Sequence, residues 1–183
     1  GDTDNSSSGT DGAFPGARLA ILLDKDFFGS EYVISPLESG SKLRYEDPTT
    51  SGSTHDIGTA NYSYALLKID DQDNRGDEWQ NSINGQSIVI SDRGISNGSN
   101  AGREQLKTIH TNPVPSKTDW RGSVVYNDNR TVWLTSSVAN NTQYDQGTRV
   151  TDDFLFAEDV DSEGNTDSDA YMMYGPTAGV SSN

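Results

Sequence analysis

Residues able to do chemistry are concentrated in one stretch of the chain, positions 152–169. Asp152, Asp153, Glu158, Asp159, Asp161, Glu163, Asp167 and Asp169 fall there with no Lys or Arg among them. Within this run, Asp159, Asp161, Glu163, Gly164, Asn165 and Asp167 follow the alternating-oxygen pattern of an EF-hand-type loop, with Gly at the sixth position. Such spacing wraps the chain around a hard cation. The twelfth position is Ala170 instead of the bidentate Glu, with Asp169 beside it as a substitute, and no helical pattern flanks the loop. Like charges this dense repel unless a cation neutralises them. The expected ligand set for Ca²⁺ is therefore Asp159, Asp161, Glu163, Asn165, Asp167 and Asp169, against the alternative of a solvated acidic loop. A second acidic patch, Asp70, Asp71, Asp73, Asp77 and Glu78, is interrupted by Arg75.

Other chemistries find less support. His55 and His110 both lie in loop text, and neither accompanies a nucleophile motif such as Gly-x-Ser-x-Gly. Glu158 and the neighbouring Asp residues could form a glycosidase pair, but in a chain with 28 acids such pairs arise by chance. No glycine-rich loop follows a strand and opens a helix, so nucleotide binding is not indicated. With no Cys, thiol catalysis, disulfides and Cys-based zinc sites are all excluded. The net charge of −15 argues against a nucleic-acid partner, which would need a basic footprint.

The elements that must carry these residues are modest. Hydrophobic residues make up 31 % of the 183, and Asp outnumbers Glu 21 to 7, so the acidity belongs to turns and loops more than to helices. Residues 1–12 read as a flexible linker or tag remnant, and 13–183 as one globular domain. Gly1 and the polar stretch behind it read as a trimmed N-terminus of a longer exported protein. One helix is expected over 16–28, bounded by Pro15 and Gly29. Strands are expected at 31–36, 61–69, 86–92 and 153–156. The clearest hairpin joins 123–126 to 131–134 through Asn127-Asp128-Asn129-Arg130, residue types that tolerate positive φ. The fold class is α+β, a helix first and then antiparallel strands with long acidic loops. Trp79, Trp120 and Trp133 are candidates for an exposed glycan-binding surface, against core packing for each, and Trp133, inside a strand, is the one most expected in the core.

The order of segments resembles a family. Tyr32-Val33-Ile34-Ser35-Pro36-Leu37-Glu38, Asn61-Tyr62-Ser63-Tyr64 and Ile88-Val89-Ile90-Ser91-Asp92-Arg93-Gly94, followed by His110, Val124-Val125-Tyr126, Asp128-Asn129 and Val132-Trp133-Leu134, are similar to a run in planctomycete prepilin-type proteins. That family is named for a His, nine residues and Asp-Gly; here 17 residues separate His110 from Asp128, and Asn129 replaces the Gly. The resemblance covers about residues 13–180. It implies a head domain like those of type IV pilins and the major pseudopilin of type II secretion, in which a helix packs on an antiparallel sheet. It further implies a non-enzymatic, extracytoplasmic subunit at the periplasm or cell surface, anchored in the inner membrane through an N-terminal helix that also joins it to other pilin or pseudopilin subunits. Without that helix the head is expected to be a monomer. Related pseudopilins hold Ca²⁺ in a head loop, which adds interest to 159–169. The competing readings are a secreted glycan- or protein-binding β-rich module and an exported hydrolase.

Overall fold

A computed structural model describes residues 15–45, 57–68, 85–95, 106–110, 120–139, 153–156, 171–174 and 180–181. The expectations placed on 1–12, His55, the 70–78 patch, Trp79 and the whole 159–169 loop lie outside the described residues.

Helix α1 spans Pro15–Asp24, with Pro15 in its first turn, where the missing N–H costs nothing. It turns Gly16, Leu19 and Ala20 inward at helical spacing, leaving Ile21 exposed. Gly16 lies so close to the backbone of Ile57 that a Cβ there would stand 2.3 Å from its carbonyl oxygen. The helix stops earlier than the expected Gly29. Asp26 adopts φ 55°, the Asp26 N–H donates to Leu23 O at 3.0 Å, and the Phe27 N–H donates to Leu22 O at 3.0 Å. This is a Schellman closure with Asp in the left-handed position that Gly usually takes.

The expected strand at 31–36 is absent. Two short 3₁₀ turns, Ser30–Val33 and Pro36–Glu38, stand there instead. Ser35 caps the second turn by accepting the Leu37 N–H, and Pro36 occupies its first position, so Ser-Pro starts a turn here where a strand end was expected. The segment still docks on the sheet, because Val33 O accepts the Ser63 N–H at 2.8 Å.

The main sheet is antiparallel and five-stranded. Its strands are β1 (Tyr64–Leu67), β2 (Ile88–Asp92), β5 (Gly122–Tyr126), β6 (Thr131–Leu134) and β9 (Met172–Met173), in the order β6-β5-β2-β1-β9. Two smaller sheets join β3 (Gly94–Ile95), β4 (Lys107–Thr108) and β10 (Val180–Ser181), and β7 (Val138–Ala139) with β8 (Asp153–Phe154). The α+β class therefore holds, with one α-helix among the described residues.

Register explains which face is buried. Ala65 stands opposite Ser91 and Ser91 opposite Val124, and strand alternation puts Leu67 and Tyr126 on the same side. All five are buried, and Ala65, Leu67, Val124 and Tyr126 share one apolar core with Leu19 and Ala20 of α1. Arg18 reaches across to donate to Leu67 O at 2.6 Å. A bulge between Ile88 and Ile90 sets these two residues opposite Tyr126 and Val125, which are neighbours on β5 and point to opposite faces. The second face carries Tyr64, Ile90, Ser123, Val125, Thr131 and Trp133, all half-buried or exposed.

The β5–β6 hairpin matches its sequence expectation closely. The Asn129 N–H donates to Tyr126 O and the Tyr126 N–H to Arg130 O, each at 2.9 Å, around Asn129 at φ 64°. That is a three-residue loop ending in a left-handed residue, a role Asn fills at low steric cost. The core expectation for Trp133 fails, and Trp120 takes the core place instead of a glycan surface. Trp133 is 48 % exposed, whereas Trp120 is 1 % exposed and meets Phe156 edge-on at 5.2 Å. Trp133 projects from an edge strand onto the open face; Trp120 is wedged against the end of β2 by its own hydrogen bond. No helix among the described residues is long and apolar enough to cross a membrane.

Candidate functional site

The end of β2 gathers the polar side chains of three segments quoted above. Asp92 and Arg93 are consecutive in an extended chain, so their side chains leave on opposite sides. Arg93 runs to Glu38 of the Pro36–Glu38 turn. Its Nε lies 3.1 and 3.2 Å from the two carboxylate oxygens, and Nη2 donates to Oε1. Both side chains are nearly buried, at 12 % and 7 % exposure. The guanidinium also lies 5.1 Å from the centre of the Tyr174 ring, and Trp120 Nε1 donates to the Arg93 carbonyl at 3.2 Å.

Asp92 goes the other way. Its Oδ2 accepts the Ser123 N–H at 2.7 Å and lies 2.7 Å from His110 Nε2. His110 is fixed further by its own N–H, which donates to Thr108 Oγ1 at 3.1 Å; that hydroxyl in turn donates to Arg121 O. The imidazole meets the Trp133 ring edge-on at 4.6 Å. Gly122 makes this packing feasible: a Cβ there would stand 2.7 Å from Trp120 Cζ2 and 2.9 Å from Asp92 Cβ.

Lys42, Tyr64 and Tyr174 border the ion pair, and Tyr62 packs against Tyr174. Lys42 Nζ donates to Thr59 O at 2.6 Å and to the Tyr174 hydroxyl. Burial, helped by Arg93 and opposed by Glu38, lowers the Lys42 pKa to about 8. The Tyr174 hydroxyl lies 2.7 Å from Thr59 O and 2.9 Å from Tyr62 O, while the Tyr62 hydroxyl donates to Tyr174 O. Burial raises the pKa of both phenols. It also raises that of Tyr64, where the charges of Asp92 and Glu38 add to the effect.

This arrangement holds segments together. Both oxygens of Glu38 face Arg93, and Asp92 is committed to a backbone amide and an imidazole. The hydroxyl bonded to His110, Thr108 Oγ1, meets its backbone N–H and not its ring, so no Ser-His-Asp-type triad is seen among the described residues. Nor is there, among those residues, a group of three or more His, Asp or Glu able to hold a metal. Asp159, Asp161, Glu163, Asn165, Asp167 and Asp169 all lie outside them. Trp120 is buried and cannot serve an exposed glycan surface.

Glu38, Asp92, Arg93 and His110 all lie within the family-like motifs, but their roles are not legible there. The legible signal was that each charged residue adjoins an apolar run. Lys42 and Tyr174 carried no signal, being 132 positions apart in unpatterned text. No family model matches the chain, and neither curated proteins nor solved structures give a match.

Proposed function

We propose that the chain is the head of a pilin- or pseudopilin-like subunit, a non-enzymatic extracytoplasmic part of a fibre, with α1 as the head-proximal helix against the sheet. The observation carrying this reading is the use made of the family-like motifs: their polar side chains bond to one another and tie the 30–45 segment and the 106–110 segment to the end of β2. Motif residues of a catalytic site would instead leave a base or nucleophile open to a cleft. The proposal includes an inner-membrane anchor that assembles with like subunits, and a Ca²⁺ held by the 159–169 loop.

Expression of the full-length gene with and without a prepilin peptidase tests it. Peptidase-dependent shortening, with the product retained in the membrane, is expected. Release as a soluble protein by ordinary signal peptidase would overturn the proposal.

A further inference from the structure

Strand β6 lies at the end of the main sheet, and among the described residues nothing pairs with its outer side. The phase of its ladder follows from the Tyr126 N–H donating to Arg130 O. In an antiparallel pair hydrogen-bonded positions alternate, so Val132 and Leu134 bond to β5 at Val124 and Gly122. Thr131 and Trp133 therefore turn their N–H and C=O groups away from the sheet. Both residues are also exposed through their side chains.

Natural sheets usually blunt such an edge with charge, proline or a bulge. Thr131-Val132-Trp133-Leu134 has no charge and no proline, and its pairing with β5 is regular throughout. The cation that adjoins the strand in sequence is drawn off the edge: the Arg130 guanidinium stacks 4.0 Å from the centre of the Tyr126 ring, and its Nε lies 3.6 Å from Asp128 Oδ2. Beside the edge, Trp133 is half exposed yet held by His110, which Asp92 holds in turn. A pre-oriented aromatic wall next to unpaired backbone groups is what strand addition requires.

We infer that the edge of β6 left unpaired among the described residues is a docking strand for an extended, cationic segment of another protein, which adds to the sheet alongside Thr131 and Trp133. Backbone pairing supplies the contact, and Trp133 covers one side chain of the incoming strand. The chain's net charge of −15 selects a cationic partner and opposes pairing of β6 with a second copy. This inference does not rest on the pilin-like reading and survives its failure.

The experiment is residue-resolved amide hydrogen exchange on the isotope-labelled chain at low salt. The probe is an alternating lysine–valine heptapeptide; its glutamate–valine counterpart and a backbone N-methylated lysine–valine version are controls. The Thr131 and Trp133 amides should exchange at least tenfold more slowly with the lysine–valine peptide, and unchanged with either control. Thr131→Pro removes an outward donor without touching the ladder and should abolish the protection at Trp133. Should that variant not fold, the N-methylated peptide decides the same point, since it keeps the charge and cannot pair. No slowing at these two amides, equal slowing by a control peptide, or protection that grows with protein concentration alone would each overturn the inference.

Discussion

Glu38 and Arg93 form a nearly buried ion pair with three close N···O contacts, and its removal is the sharpest perturbation available. Breaking a buried pair by deleting one partner costs about 3–5 kcal/mol, because the other charge is left desolvated. At 12 % and 7 % exposure these side chains sit near that limit. The two deletions should not cost the same. Glu38→Leu removes a carboxylate that faces both Arg93 and Lys42. Arg93→Met strands one anion and leaves Lys42 to offset part of its charge. Glu38→Leu should therefore be the more damaging, itself costing about 3–5 kcal/mol against a total stability of roughly 5–15 kcal/mol. For a chain of this size that lowers the melting temperature by roughly 6–20 °C. The double variant Glu38→Leu/Arg93→Met should be far less destabilised than the sum, with a coupling of about 2 kcal/mol or more. Urea unfolding followed through tryptophan emission reads all four proteins, since buried Trp120 donates to the Arg93 carbonyl. Singles within about 0.5 kcal/mol of the parent, or additive effects, would refute the lock.

Three further outcomes follow. Gly122→Ala should destabilise by about 1–3 kcal/mol in thermal melts, since its methyl would meet Trp120 and the Asp92 Cβ; an unchanged melting temperature would show that the packing yields. Lys42 has a folded pKa of about 8 against an ordinary value of 10.5, so the folded state loses this proton first and its penalty lifts as pH rises. The parent should thus gain stability relative to Lys42→Met between about pH 8 and pH 10, and parallel curves in urea titrations would contradict this. If the 159–169 loop holds Ca²⁺, added Ca²⁺ should stabilise by about 2.7 kcal/mol at one hundred times Kd. Asp161→Ala with Asp167→Ala should abolish the increment, and a melting temperature unmoved at millimolar Ca²⁺ would retire that site.

What could be read in advance was what local chemistry decides. The β5–β6 hairpin was legible because Asn129 alone had to absorb the positive φ between two β-branched runs. The helix was legible, but its end was not, because Asp26 took the left-handed position usually assigned to a Gly. The 31–36 segment read as a strand through Tyr32, Val33 and Ile34. Ser35 and Pro36 decided otherwise, since a cap followed by Pro starts a helical turn. Trp133 was expected in the core and lies exposed, because strand membership does not say whether a strand lies at the edge. The site was hardest to see. Glu38 and Arg93 are 55 positions apart, and only the register of β2 against β1 and β5 brings them together. Composition located the acids but not their partners.

The codons upstream of Gly1 bear most directly on the pilin-like reading, and sequencing them needs no folded protein. A prepilin peptidase site of the Gly-Phe-Thr-Leu-Ile-Glu type, followed by an apolar helix of about 20 residues, is the result that reading predicts. An ordinary signal peptide with a small-residue cleavage site, leading straight into the head, would contradict it.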